Sequence, residues 1–164
     1  MGVSESWAHD RVSDAELSLR GYDLYRCDRP SGHRGAGVLL YVKSSLSSVQ
    51  FVTRANFPEQ VWCKLIVESG SELLVGVCYR SPTNSISDDS HEVLRKVVKE
   101  FSDRNVILMR DFNYPDINWP TLQASSEASK QFVNVIEECY LVQHVTEPMR
   151  HGALLDLLIV VTHP

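Results

Sequence analysis

The sequence predicts a single domain of mixed α/β class: a β-sheet covered by helices. Three observations predict it. Short, β-rich apolar runs fill the first half of the 164 residues. A helix–strand–helix–strand periodicity follows them. No internal repeat or low-complexity tract interrupts the pattern, so one domain covers residues 1–164. A chain of this length buries roughly 68–70% of its unfolded surface, enough for a real core.

The elements follow in order. Tyr22 to Cys27 reads as a strand, and Pro30, Ser31 and Gly32 with Gly35 and Gly37 supply the turn after it. Val38 to Val42 is a β-rich run, apolar on both faces. Val61 to Val67 and Leu73 to Tyr79 are two further runs joined by Ser69-Gly70-Ser71, the signature of a hairpin. Before Pro82 the chain must leave the sheet. Asp88 to Phe101 reads as a helix, with Val93, Leu94, Val97, Val98 and Phe101 on one face and acidic residues at its start. Val106 to Met109 is an unbroken apolar run, which reads as a buried strand. A long loop then holds Tyr114, Pro115, Trp119 and Pro120. Ser126 caps a second helix whose apolar face is Phe132, Val133, Ile136 and Tyr140. The last strand runs from Leu154 to Val161, interrupted by Asp156. The first strand signal comes late and the last runs almost to the end, so both ends read as cut.

The net charge of −5 excludes a global basic field as the means of attracting nucleic acid. Locally, Arg20, Arg26, Arg29, Arg34 and Lys43 outnumber Asp23 and Asp28, a stretch that suits phosphate contact or a solvated basic face equally. The four cysteines, Cys27, Cys63, Cys78 and Cys139, form no CxxC pair, which excludes the usual zinc motifs and fits free thiols in a reducing compartment. No apolar run reaches membrane-spanning length and no signal peptide opens the chain, so the expectation is an intracellular protein, nuclear or cytoplasmic, with no membrane partner.

The chemistry concentrates where strands end. Asp111 and Asn113 close the run from Val106, and in an extended backbone two residues of that spacing project the same way. A carboxylate beside a carboxamide suits phosphate chemistry, the first orienting a water or holding a metal and the second donating to a charged oxygen. The plain alternative is a turn, which Asp and Asn favour through local backbone hydrogen bonds. Glu5 precedes Ser6 and Trp7; Tyr79 closes a strand in phase with Leu73, Val75 and Val77. Asp156 sits among Leu154, Leu155, Leu157 and Leu158, where an unpaired carboxylate costs several kcal/mol, so it needs a partner or a loop-anchoring hydrogen bond.

Taken together, these stretches resemble the endonuclease/exonuclease/phosphatase superfamily, and most closely the endonuclease domain that non-LTR retrotransposons encode ahead of a reverse transcriptase. The matching segments are Ser4 to Trp7, Gly21 to Arg29, Arg34 to Val42, Val77 to Pro82, Asp111 to Asp116, Val145 to Pro148 and Leu155 to Leu157, in the family's order along nearly the whole chain. The resemblance implies a four-layer α/β sandwich of two mixed β-sheets flanked by helices, incomplete at both termini, that cuts DNA phosphodiesters with Mg²⁺, Mn²⁺ being the alternative ion. It implies that Glu5 is the metal-binding carboxylate, that Asp111 positions the attacking water and that Asn113 holds the phosphate. Tyr79 stabilises developing charge, and Asp156 orients a histidine. His33 and Arg34 fall in a family turn without chemistry. A phosphatase-type member, or a non-catalytic fragment that binds nucleic acid or protein, are the alternatives.

The departures bear on activity. The family's first strand, with an Asn near the metal, does not precede Glu5, and no terminal Ser-Asp-His motif follows the last strand; His163 stands too close to Asp156 to replace it. Arg110 occupies the position of a family glycine before Asp111, and Ser6 that of a threonine. One acid–base group contributes typically ~10²–10⁴-fold and one charge-stabilising donor about 10²–10³-fold, so the expectation is weak cleavage or none.

Overall fold

The computed structural model describes residues 1–29, 37–54, 59–67, 70–80, 95–97, 99–100, 105–147 and 156–161, with the backbone alone described at Arg110, Asp156 and Val161. Two sheets face each other. The smaller contains β1 (Gly2–Ser4), β2 (Tyr22–Cys27) and β3 (Val38–Lys43), ordered β1-β3-β2 with antiparallel pairing throughout. The larger contains β4 (Ser47–Phe51), β5 (Gln60–Ile66), β6 (Glu72–Tyr79), β7 (Asn105–Asp111), β10 (Leu141–Gln143) and β11 (Asp156–Val161). Its order is β10-β11-β7-β6-β5-β4, and β6–β7 is its parallel pair, so it is mixed. Between β7 and β10 lie a two-stranded ribbon, β8 (Ile117–Asn118) with β9 (Gln123–Ala124), and the helix α2 (Glu127–Glu138). A one-turn helix, α1 (Asp14–Leu17), precedes β2.

Period-two alternation builds the layers. On β3, Val38, Leu40 and Val42 turn inward and pack with Val61, Cys63, Val75, Val77 and Tyr79 of the larger sheet. Leu39 and Tyr41 turn outward and pack with Ala8, Leu17 and Leu24. All five residues are buried, as a run apolar on both faces requires. The other face of the larger sheet presents Trp62, Leu74, Cys78, Val106, Leu108, Leu157 and Ile159 to Phe132, Val133, Val135 and Ile136 of α2. The result is the layered α/β sandwich expected from the sequence.

β5 and β6 pair antiparallel, Val61 opposite Val77, as the hairpin reading requires. The Ser126 hydroxyl accepts the Ser129 N–H and caps α2. Asp116 binds the same turn, accepting from the amides of Ser125 and Ser126 and from the Ser129 hydroxyl. Of the helix expected at Asp88–Phe101, residues 95–97 and 99–100 are helical and Val97 is buried, while Asp88, Val93, Leu94, Val98 and Phe101 lie outside the described residues. Pro82, the turn at residues 30–36, Pro148, Leu154 and Leu155 lie outside them too.

Several expectations need correcting. A strand comes well before Tyr22: β1 is only three residues long and carries one large apolar side chain, Val3, too little for a periodic signal. α1 was also not anticipated, although Ser13 and Glu16 form a capping box, the Glu16 carboxylate accepting from the Ser13 amide at 2.9 Å. Tyr140 is not on the apolar face of α2. The helix ends at Glu138, and Tyr140 takes a left-handed turn (φ 52°) that leaves it 68% exposed. Arg26 does not contribute to an open basic face, because its guanidinium is tied to Asp14, Asp28 and the carbonyls of His9 and Val12.

Candidate active site

Three strands deliver functional groups to one edge of the sandwich. β6 and β7 are parallel and end together, with Tyr79 directly beside Asp111. β11 runs antiparallel to β7 and begins there, so Asp156 stands beside Asp111 on the other side. Tyr79, Asp111 and Asp156 therefore form a row across neighbouring strands, set by the register of an apolar ladder and not by the polar residues themselves. Asp156 opens the described part of its strand; Leu154 and Leu155, which precede it, lie outside the described residues.

β1 brings the fourth group. Gly2 packs so closely on the larger sheet that an added Cβ would lie 2.7 Å from Val77 Cγ2. This approach carries the end of β1 over the end of β6. Glu5 then leaves the strand in a left-handed conformation (φ 50°), and its carboxylate accepts the Tyr79 hydroxyl at 2.5 Å. Non-glycine residues seldom adopt that conformation, and such outliers gather at functional sites. Glu5 is exposed, whereas Tyr79 is only 4% exposed. Burial, the hydrogen bond to Glu5 and the charges of Glu5, Asp111 and Glu59 all push the Tyr79 phenol above its ordinary pKa. It therefore stays protonated and acts as a donor.

Asn113 joins the group differently from the sequence reading. β7 ends at Asp111 and Asn113 is left-handed (φ 50°), so the extended-strand argument for a shared direction does not apply. Its backbone N–H donates to Asp111 Oδ1 at 3.1 Å and its side-chain amide donates to the Arg80 carbonyl at 2.7 Å. The turn and the site are thus one feature. The structure brings Glu5, Tyr79, Asp111 and Asn113 together and sets the Asp156 backbone next to them. A cleft of about 430 Å³ opens between the sheets here, bounded by Ser4, Met109, Asp111, Val145 and Leu157.

Two residues at this edge were not singled out in the sequence. Arg80 follows Tyr79, is 9% exposed, and lies with its guanidinium 4.6 Å from the centre of the Tyr114 ring. Its amide donates to the Asp111 carbonyl at 3.2 Å and its guanidinium to the Phe112 carbonyl at 3.4 Å. It clamps the loop that carries Asn113. Glu59 is equally buried; its carbonyl accepts the Tyr79 N–H at 3.0 Å and its carboxylate faces Arg29 at 3.8 Å. Burial raises its pKa, the Arg29 charge and a bond from the Gly37 amide oppose the rise, and the Glu5 charge adds to it. One of its oxygens, Oε2, is buried without a hydrogen-bond partner. Both residues lie just beyond strand ends, and only the fold reveals them as buried.

The sequence model of the family described as endonuclease–reverse transcriptase matches residues 73–163, more than half of the chain and the stretch that holds Tyr79, Asp111, Asn113 and Asp156. The chain belongs to this family. No curated protein sequence matches it significantly. Solved structures agree on the fold. The endonuclease domain of TRAS1, a telomere-specific non-LTR retrotransposon, superposes with a TM-score of 0.69 at 15% identity, over 87% of this chain and 66% of that one. The AP endonuclease LMAP from Leishmania major gives a TM-score of 0.67 at 13% identity, over 98% and 69%. The human Nocturnin catalytic domain with bound sulfate gives 0.62 at 15% identity, over 99% and 68%. The chain thus has the endonuclease/exonuclease/phosphatase fold and spans about two-thirds of the length of these structures. No described helix is long and apolar enough to cross a membrane.

Proposed function

We propose that this domain is a DNA endonuclease of retroelement lineage that hydrolyses phosphodiesters with Mg²⁺, Mn²⁺ serving in its place. One observation carries the reading: the Tyr79 phenol donates to the exposed Glu5 carboxylate while Asp111 stands beside it at the end of the neighbouring strand. A buried neutral donor, an exposed carboxylate and a second carboxylate in one place are the parts that phosphoryl transfer needs.

Glu5 would hold the metal ion. Mg²⁺ typically takes one or two carboxylates and keeps waters and substrate oxygens, so a single exposed glutamate suits it. Among the described residues no group of three His, Cys, Asp or Glu could hold a metal by itself, so the reading rests on Glu5 with waters and substrate oxygens. When bound, the ion supplies neutralising charge at the phosphate. Asp111 orients the attacking water and accepts its proton. The Asn113 amide, held by Arg80, meets the phosphate, and Tyr79 donates to developing charge. Asp156, next to Asp111, is the orienting residue of the family, but these 164 residues hold no Ser-Asp-His motif to supply its histidine, so slow cleavage is the expectation.

A supercoiled-plasmid nicking assay tests this. The chain with Mg²⁺ should nick slowly above background, and Asp111→Asn should lower the rate by roughly 10²–10⁴-fold. Glu5→Gln should abolish Mn²⁺ binding measured by electron paramagnetic resonance. Nicking that survives Asp111→Asn overturns the assignment. Salt-sensitive DNA retention by a protein that never nicks would favour a nucleic-acid-binding module instead.

A further inference from the structure

Trp7 is 62% exposed and has the left-handed φ of 58°, a genuine outlier for so bulky a residue. The backbone around it is held on both sides. The Ser6 amide donates to the Gly37 carbonyl at 3.1 Å, and the Ala8 amide donates to Ser6 Oγ at 3.3 Å. Ala8 is 3% exposed, and Arg26 grips the next carbonyls along, those of His9 and Val12. Glu5 and Trp7 face solvent while Ser6 and Ala8 turn into the molecule. The fold therefore fixes an indole outside the core, two residues from the carboxylate that Tyr79 binds.

We infer that Trp7 is a stacking platform for an unpaired nucleobase next to the phosphate at Glu5; the inference rests on the reading of the site given above. The distances suit this. Two residues span at most about 7 Å of chain. The indole therefore leaves the same short segment of chain as the carboxylate, beside any phosphate held at Glu5. Every base offers a π-face, so the contact tolerates sequence. With a net charge of −5 and Arg26 occupied internally, the protein has little general electrostatic grip on nucleic acid. An aromatic contact beside the site makes up part of it.

The test is equilibrium binding of the full chain to fluorescent single-stranded oligonucleotides, with Ca²⁺ in place of Mg²⁺ so that nothing is cut. Trp7→Ala should weaken binding by about 5- to 150-fold, and Trp7→Phe should retain most of it. An abasic nucleotide moved along the strand should reproduce the loss at one position in the wild type and cost Trp7→Ala nothing further there. Quenching of the exposed tryptophan emission should accompany binding, since Trp62 is 1% exposed and Trp119 packs against Phe132. Equal affinities for wild type and Trp7→Ala, or abasic losses that persist in Trp7→Ala, overturn the inference. So does concentration-dependent quenching without DNA, which would make Trp7 a contact between copies of the chain. No cleavage is measured, so a failure here leaves the nicking result standing, and a protein that stacks a base without nicking loses only the catalytic reading.

Discussion

Glu59 shows how a single residue ties stability to the site. Its carboxylate is buried beside Arg29, behind the Tyr79–Glu5 pair, with one oxygen unpartnered. Its folded pKa lies above the ordinary 4.5, burial being the main cause. A raised carboxyl pKa means the folded state holds its proton more tightly than the unfolded state. That contribution is fully present below the unfolded value and is lost as pH rises through the folded one. Glu59→Gln removes the ionisation. Its melting temperature relative to wild type should therefore be higher at pH 7–8 than at pH 4, a difference that thermal melts across that range would read. If the variant instead loses stability at pH 7 relative to pH 4, the Arg29 pairing outweighs burial.

At the scale of elements, β6 is the strand on which the site depends. It pairs with both β5 and β7, ends at Tyr79, and has Gly76 opposite Trp62. A Cβ built at Gly76 would sit 2.3 Å from Trp62 Cε3, so the indole lies flat on bare backbone. Gly76→Val should push Trp62 off that surface and destabilise the domain by about 1–3 kcal/mol or more, seen as a lower urea midpoint. An unchanged midpoint would mean that Trp62 swings aside at no cost. The loop after β7 depends on a different device. Arg80, Asn113 and Asp111 brace it through three hydrogen bonds, so its shape is set from the end of β6 as well as from β7.

Two apolar layers hold the larger sheet, one against the smaller sheet and one beneath α2, and a smaller cluster covers the outer face of the smaller sheet. Phe132 is the pivot of the second. Its ring lies 4.4 Å from that of Phe112 and 4.7 Å from that of Tyr114, and Trp119 meets it edge-on at 6.3 Å. Phe112 and Tyr114 flank Asn113, so the helix core and the site loop share these side chains. Phe132→Ala should cost about 3–5 kcal/mol in chemical denaturation and lower the melting temperature by many degrees. Because the cavity would open under Phe112, nicking should fall before the protein unfolds; activity that follows only the folded fraction would show that loop and core are uncoupled.

Patterning alone determined the inner strands and α2. Val38–Val42, Leu73–Tyr79 and Val106–Met109 are long, apolar and rich in β-formers, and Ser126 marks a helix start, so local chemistry and burial agree. Glu5, Tyr79, Asp111, Asn113 and Asp156 stand out in the sequence because family motifs label them; their roles remain the proposal made above. Tertiary structure decided the rest. β1 has three residues and no periodicity, and only pairing with β3 and the close approach of Gly2 to β6 make it a strand. Asn113 owes its direction to a left-handed turn and to Arg80, not to strand alternation. Glu59, Arg80 and the exposed Trp7 look ordinary in one dimension. Burial, backbone handedness and distance to a distant residue belong to the folded state, and no local window of sequence contains them.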